Sequence, residues 1–332
     1  MPTPRLRLAV FAVLVLVAGA GARAAEGGEA CLYAPAPPER LASADAVADY
    51  ASVLRTCRAA DGREAIAIRA MTIAATPILL LADPRGLSTR LELAACWTCR
   101  DASEDQLSDT RMMRAVARSA EAPGLVHRGF LQNAGLTHGA AAGAFVTGDL
   151  CPSRRPLDRP FFDKLADAVP HAPVALSISG LWLVHHFQDY RWLLDRQAAG
   201  ELDILWVDHT YHHPYRRGEP AAHNFLLTDG VDPDAEILDT ERLLIANGQT
   251  PSLFFRFPGL VSSAPLMQAV RRHHLISLGA DAWLALGQRP GEGSIVLVHP
   301  NGNEEAGLAV FDRDMARGAI AEPLEPLTAA PN

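Results

Sequence analysis

From about Gly143 onward, short apolar segments alternate with segments of helical periodicity, and this alternation restricts the fold more than any other feature. The strand-like segments are residues 144–146, 174–178, 202–207, 253–257, 275–278 and 294–298. Apolar residues at helical spacing occur between them at 160–165, 187–194, 234–246 and 265–273. Strands that alternate with helices imply a parallel sheet, and this number of units favours an α/β barrel.

The strand-like run at 202–207 leads directly into the segment Asp208-His-Thr-Tyr-His-His-Pro-Tyr215. Folds of this class build their sites at the carboxyl ends of the strands. His209 and His213 are four residues apart, so one helical turn would place both on the same face. Because neutral imidazole is the commonest metal ligand, we interpret this pair as half of a metal site.

Polar side chains also follow other predicted strands, and a parallel sheet would bring them to the same edge. They are Asp149, Arg256, Asp281 and His299. Carboxylates, a guanidinium and a further imidazole are therefore expected to converge on the histidine pair.

These motifs and their order resemble the polysaccharide deacetylase family (NodB homology, carbohydrate esterase 4-like) over roughly residues 143–311. The segment 209–214 matches the family's second motif, His-Ser/Thr-x-x-His-Pro, in full. Further matches are a third motif at 256–259, a shortened fourth at Asp281 and Trp283, and a fifth at 297–299. The resemblance implies a distorted (β/α) barrel, preceded here by an N-terminal subdomain or extension.

The first motif departs from the family's usual Thr-Phe-Asp-Asp-Gly-Pro, because residues 147–152 are Thr-Gly-Asp-Leu-Cys-Pro. Asp149 aligns with the family's catalytic base, whereas Leu150 occupies a metal-ligand position and cannot coordinate. Either Asp149 binds the metal itself, or the two histidines hold it weakly, or no metal is held. Cys151 is close enough to line the pocket, and a buried thiol is its simplest interpretation.

The resemblance implies an exported, metal-dependent hydrolase that removes acetyl groups from a carbohydrate polymer or oligosaccharide, at nitrogen or oxygen. The implied ligands of a divalent ion, expected to be zinc, are His209, His213 and Asp149. The implied roles are Asp149 as base, His299 as acid, Asp281 orienting His299 and Arg256 keeping Asp149 ionised. The implied substrate contacts are the ring of Trp283 and the backbone N–H of Tyr215.

Two other functions stay open. Leu150 also fits an inactive carbohydrate-binding or scaffold protein on the same barrel. The pair Cys96 and Cys99 fits a redox pair, a local disulfide or half of a zinc site, although the chain has no second such pair for zinc. Structural disulfides or plain thiols are the simpler interpretation, and the odd count of five cysteines leaves at least one thiol unpaired.

Residues 1–24 are typical of a secretory signal peptide, with basic Arg5 and Arg7 before an apolar run. We therefore expect a periplasmic or secreted protein without a membrane span after cleavage. The formal net charge is −8 and no long basic run occurs, which argues against nucleic acid as a partner.

The chain is predicted to divide into four parts. They are the signal peptide at 1–24, an N-terminal region of unknown role at 25–140, the barrel at 141–316 and a C-terminal tail at 317–332. Within the second part, residues 43–57 carry apolar residues at helical spacing and are predicted to form a helix.

Overall fold

The computed structural model describes residues 31–127 and 129–332, so the predicted signal peptide lies outside the described residues. In chain order, the strands of the described part are β1 (Val47–Ala59), β2 (Glu64–Ile73), β3 (Thr76–Ala82), β4 (Thr89–Leu93), β5 (Trp97–Asp101), β6 (Leu125–His127), β7 (Phe130–Gln132), β8 (Phe145–Leu150), β9 (Ala172–Ile178), β10 (Leu202–Asp208), β11 (Phe254–Phe255), β12 (Val261–Ser262), β13 (Ile276–Ser277), β14 (Ala282–Trp283) and β15 (Ile295–Val298). The α-helices are α1 (Glu104–Leu107), α2 (Arg111–Glu121), α3 (Arg159–Ala168), α4 (Gly180–His185), α5 (Phe187–Ala198), α6 (Pro233–Ala246), α7 (Ala264–Arg272) and α8 (Glu305–Ala316).

Seven parallel strands form the central sheet, in the order β13-β11-β10-β9-β8-β15-β14. Helices lie between β8 and β9, between β9 and β10 and between β10 and β11, as the alternation in the sequence predicts. The order places β13 and β14 at opposite ends, so the barrel is left unclosed between them. The predicted α/β class and distorted (β/α) barrel are therefore confirmed.

Alternate residues along each central strand pack on opposite sides of the sheet, as the two-residue period of a strand requires. On one side Val146, Leu150 and Leu176 pack with residues of α3 and α5, in what we call the helix-side cluster. On the other side Phe145 and Val207 join a cluster that includes apolar residues of β2, β3 and α2. Leu150 is fully buried in the helix-side cluster, so its side chain is part of the hydrophobic core.

The region before the barrel is built on an antiparallel sheet in the order β4-β3-β2-β1-β5. The predicted helix at 43–57 is wrong, because most of this segment is strand β1. Its pairing with β2 shifts register between Ala48 and Ala51 and again between Ser52 and Arg55. Each such bulge inserts a residue into the two-residue period, and this accounts for apolar spacing that resembles a helix.

Two disulfides link parts of this region, Cys31–Cys96 and Cys57–Cys99. Cys57 and Cys99 are direct partners in the pairing of β1 with β5. Cys96 and Cys99 are therefore not bonded to each other, and the local disulfide and the redox pair are both corrected to separate structural disulfides. Among the described residues, Cys151 is the free cysteine, and it is buried.

A buried ion pair joins this sheet to the barrel. Arg69 on β2 donates from Nε and Nη2 to both carboxylate oxygens of Glu241 on α6, at 2.7 and 2.9 Å, and both side chains are fully buried. The hydroxyl of Tyr50 donates to the same carboxylate at 2.9 Å. The sheet thus shares both a charged contact and an apolar cluster with the barrel, while the predicted division at residue 140 stays a prediction.

His274, close to this ion pair, predicts a dependence of stability on pH. Burial, Arg69 and His273 lower its pKa from 6.5 to about 4. Between these values the unfolded chain binds more protons, so stability should fall as the pH drops from 6.5 towards 4, by up to about 3 kcal/mol from this group. In His274→Asn, whose side chain tolerates the left-handed backbone at this position (φ 58°), the urea midpoint should fall less over this range.

The matched control is His171→Asn, since His171 is exposed and has a similarly left-handed backbone, with φ 53°. It should leave the pH dependence of the midpoint as in the wild type. Equal slopes in wild type and His274→Asn would contradict the assignment to His274.

The predicted tail at 317–332 packs against the rest of the fold. Leu324, Leu327 and Ala330 are buried, and Arg111 on α2 donates to the carbonyl oxygens of Thr328 and Pro331. Across the described residues, the helices are all too short or too polar to cross a membrane.

Candidate metal centre

Asp149 lies at the carboxyl end of β8 and is paired with Arg256. Arg256 Nη1 donates to Asp149 Oδ1 at 2.8 Å and to Thr147 Oγ1 at 2.8 Å, and Nη2 donates to the Gly279 carbonyl at 2.9 Å. Both charged side chains are almost completely buried. Burial opposes ionisation of Asp149, but Arg256 and the nearby imidazoles His209 and His299 outweigh it and lower its pKa to about 2. Asp149 is therefore an anion with one oxygen, Oδ2, that Arg256 leaves free.

His209 and His213 are brought together by a turn and not by the helical turn that their spacing indicated. Thr210 and His213 have left-handed backbone angles, with φ of 67° and 48°. Asp208 Oδ1 accepts the Thr210 N–H at 2.8 Å, and Thr210 Oγ1 accepts the His213 N–H at 3.2 Å. The two rings consequently lie edge to face with centroids 4.9 Å apart. His212 points elsewhere, with Nδ1 2.7 Å from Glu236 Oε1.

The orientation of His209 is set by its contact with the strand beside it. Its Nδ1 lies 2.8 Å from the carbonyl oxygen of Arg256, which can only accept, so Nδ1 carries the proton. Nε2 is thereby turned into the site, 3.5 Å from Cys151 Sγ and 3.7 Å from Asp149 Oδ2. Such a bond to the outer ring nitrogen is typical of histidines that ligate metals.

Three ligand atoms form a compact group, one each from Cys151, His209 and His213, and all lie within 4.8 Å of one another. Nε2 of His213 is buried without a hydrogen-bond partner among the described residues. Burial opposes ionisation of Cys151, but His213 and His209 hold its pKa well below the usual range of a thiol. A thiol and two imidazoles with free ring nitrogens are donors that suit zinc, so these residues fit the divalent ion that the resemblance implies.

His299, at the end of β15, faces Asp149 across the site. Its Nε2 is 3.9 Å from Asp149 Oδ2 and its Nδ1 is 2.8 Å from Glu304 Oε2. Burial favours the neutral ring, but contacts with Cys151 and Glu304 and the charge of Asp149 raise its pKa well above the usual value. These contacts favour the protonated form of the His299 imidazole, which lies opposite the Asp149 carboxylate.

Glu304 is a site residue that the sequence motifs did not indicate. Its Oε2 also accepts the indole N–H of Trp283 at 2.9 Å, and the Trp283 ring lies 5.5 Å from that of His299. Its one signal in the sequence is a carboxylate five residues after a strand-end histidine. Trp283, predicted to contact substrate, is thus placed beside the imidazole.

Asp281 does not reach the site, which corrects its expected role in orienting His299. Its Oδ1 accepts the Ile295 N–H at 2.9 Å, and its Oδ2 lies 2.7 Å from Nδ1 of His138. The carboxylate therefore ties β15 to the loop that carries His138. Glu304 occupies the place beside His299 that the fourth motif indicated for Asp281.

Tyr215 stands at the rim of the site and is 60% exposed. Its ring stacks on Phe225 with centroids 5.5 Å apart, and Phe225 packs edge to face on His213 at 5.8 Å. This aromatic row runs from His213 to the exposed ring of Tyr215.

No family model matches the chain. Among solved structures, it is similar to a family 4 carbohydrate esterase from Streptomyces lividans in complex with acetate, with 18% identity and a TM-score of 0.38 over 58% of this chain and 98% of that one. It is also similar to a family 4 carbohydrate esterase from Bacillus anthracis, with 20% identity and a TM-score of 0.41 over 59% and 86% of the two chains. A family 4 pseudoenzyme from Bacillus anthracis matches with 12% identity and a TM-score of 0.39 over 59% and 67%. The chemistry of this site must therefore be derived from its own side chains.

Proposed function

We propose that this chain is a metal-dependent carbohydrate deacetylase, which hydrolyses an acetyl group from a polysaccharide or oligosaccharide. The observation that carries the proposal is the opposed pair of Asp149 and His299, an ionised carboxylate 3.9 Å from an imidazole with a raised pKa, beside a compact group of metal-ligating atoms. Hydrolysis of an amide or ester needs a group that accepts a proton from water and one that donates a proton to the leaving group.

Asp149 is the proposed base. Arg256 binds Oδ1 and keeps the carboxylate ionised, while Oδ2 faces the two imidazoles and can accept a proton. A divalent ion held by His209 and His213 would polarise the acetyl carbonyl and lower the pKa of water, which suits a base as weak as this one. The burial of the site excludes bulk water and strengthens each of these charge interactions.

His299 is the proposed acid, since its raised pKa keeps a proton on the ring at neutral pH. It would protonate the departing amine or alcohol of the sugar. Glu304 is a positioning residue whose carboxylate lies 2.8 Å from Nδ1, where it favours the charged ring and leaves Nε2 facing the site. The partly exposed ring of Trp283 offers an apolar face for a sugar ring, and Tyr215 offers another at the rim.

We further propose that the protein acts outside the cytoplasm. The two disulfides of the N-terminal sheet support this, because such bonds persist in oxidising compartments. A periplasmic or secreted location suits a polymeric carbohydrate substrate.

The first test replaces His209 by alanine. We expect purified wild type to carry about one divalent ion per chain, as a site of this donor set binds. His209→Ala should lose this ion, measured by inductively coupled plasma mass spectrometry, and should release no acetate from N-acetylated chito-oligosaccharides or O-acetylated xylo-oligosaccharides. The variant removes a ring nitrogen directed at the site, 3.5 Å from Cys151 Sγ.

The matched control is His212→Ala, which removes the exposed neighbouring imidazole of the same motif. It should keep both the metal and the acetate release. Full metal occupancy in His209→Ala would refute the proposed site.

A second candidate function is carbohydrate binding without catalysis. Leu150 favours it, because an apolar residue buried in the helix-side cluster stands where the family has a metal ligand. Oligosaccharide binding without acetate release, undiminished by a chelator, would decide for this alternative.

A further inference from the structure

We propose that Cys151 is the third protein ligand of the metal, so that the centre is a thiolate with two imidazoles and Asp149 stays outside it. The inference concerns the same site as the proposed function and rests on it, although metal binding can be tested without turnover. It assigns a metal ligand, the Cys151 thiolate, that is not among the ligands implied by the family resemblance.

The path of the chain after β8 directs Cys151 to the site. Leu150 packs in the helix-side cluster, whereas Asp149 and Cys151 on either side of it both approach His209. The backbone is held here, because Asn301 Nδ2 donates to the Cys151 carbonyl at 2.8 Å and Ser179 Oγ donates to the Leu150 carbonyl at 3.0 Å. Residue 151 is thus a fixed position that faces the histidines.

The spacing of the donor atoms fits a shared tetrahedral ion. Zinc bonds of about 2.0–2.1 Å to nitrogen and about 2.3 Å to sulfur place two such ligands about 3.6 Å apart. Cys151 Sγ and His209 Nε2 are 3.5 Å apart, and the third atom, from His213, lies within 4.8 Å of both. A small rotation of the partly exposed His213 ring would complete the set.

Asp149 is a weaker candidate for the same place. Arg256 already binds its Oδ1, and its free Oδ2 lies 3.7 Å and 3.9 Å from the two imidazoles of His209 and His299. It is not part of the compact group that Cys151 forms with His209 and His213. A thiolate ligand therefore removes the need for Asp149 to serve as both ligand and base.

The donor set also predicts which metals bind. Thiolate and imidazole are ligands for zinc and cobalt, whereas magnesium and manganese prefer oxygen. We expect zinc and cobalt(II) to bind far more tightly than magnesium or manganese(II). The other four cysteines are in disulfides, so any thiolate signal of the native protein must come from Cys151.

The experiment titrates the metal-free, full-length protein with cobalt(II) and records its absorption spectrum. We expect a thiolate-to-cobalt charge-transfer band in the near ultraviolet that saturates at about one ion per chain. Cys151→Ser should lack this band and bind zinc more than about 100-fold more weakly, since even the loss of an outer-shell partner costs up to that much. Cys151→Asp should bind cobalt(II) without the band, and a thermal melt of each metal-free variant would show that it is folded.

The outcomes separate this inference from the proposed function. Cobalt binding without the band, or wild-type zinc affinity in Cys151→Ser, would overturn the thiolate ligand even if acetate is released. A band that is lost in Cys151→Ser would support the ligand even if no acetylated sugar is hydrolysed, and the proposed function alone would then fail.

Discussion

Asparagine in place of Asp149 should lower kcat for acetate release by about 10²–10⁴-fold, the usual contribution of a positioned proton acceptor. The carboxamide has nearly the same shape and can still accept the hydrogen bond from Arg256, but it cannot take a proton from water. With Cys151, His209 and His213 as ligands, the bound metal should be retained. Steady-state kinetics on an acetylated oligosaccharide, together with metal analysis of the same preparation, measures both quantities.

The matched control is Asp281→Asn, the same chemical change at the carboxylate that was expected to orient His299. Because Asp281 contacts Ile295 and His138 and not His299, its asparagine variant should keep kcat near the wild-type value. Loss of metal from Asp149→Asn would identify Asp149 as a ligand. An unchanged kcat in that variant would exclude it as the base.

Much of the site could be predicted from sequence because its residues follow parallel strands. Asp149 lies at the end of β8, and His209, Arg256 and His299 directly follow β10, β11 and β15, which belong to the same sheet. The carboxyl ends of parallel strands meet at one edge, so identifying the strands was enough to bring these four side chains together.

The residues that the sequence did not place depend on where the chain turns after a strand. Cys151 reaches the histidines because β8 ends and the chain turns directly after Leu150, and a two-residue period cannot show where a strand ends. Glu304 returns to His299 from a loop whose path depends on tertiary contacts. Asp281 shows the opposite error. Its place in the motif order predicted a contact with the His299 ring, but its carboxylate contacts His138 instead.

The N-terminal sheet was missed for a different reason. Its longest strand, β1, has two register shifts, and these convert strand alternation into a spacing that resembles a helix. The pairing with β2 and β5 shows that the segment is extended, and local periodicity cannot predict which distant segments pair.

The Arg69–Glu241 ion pair leads to the largest expected change in stability. Arg69→Met should lower the free energy of unfolding by about 3–5 kcal/mol, because it leaves the Glu241 carboxylate buried without its cation. Burial and the charge of Glu241 raise the Asp208 pKa well above its usual value, whereas Arg69 lowers it. Loss of Arg69 should therefore also disfavour the ionised form of Asp208. Urea unfolding with the disulfides intact gives the free energy.

The double variant Arg69→Met with Glu241→Leu should recover most of this loss, since a buried pair replaced by apolar side chains is often neutral or stabilising. Arg55→Met on β1 is the matched control, because its partner Asp101 is 88% exposed and such pairs contribute about 0–1 kcal/mol. A double variant as unstable as the single one would show that packing, and not the unpaired charge, is responsible. Recovery in the double variant, by contrast, would show that the sheet and α6 associate stably without the buried ion pair. That distinction bears on the candidate site, because Asp208 directly precedes His209, the proposed metal ligand, and the charge of Glu241 on α6 contributes to the raised pKa of Asp208.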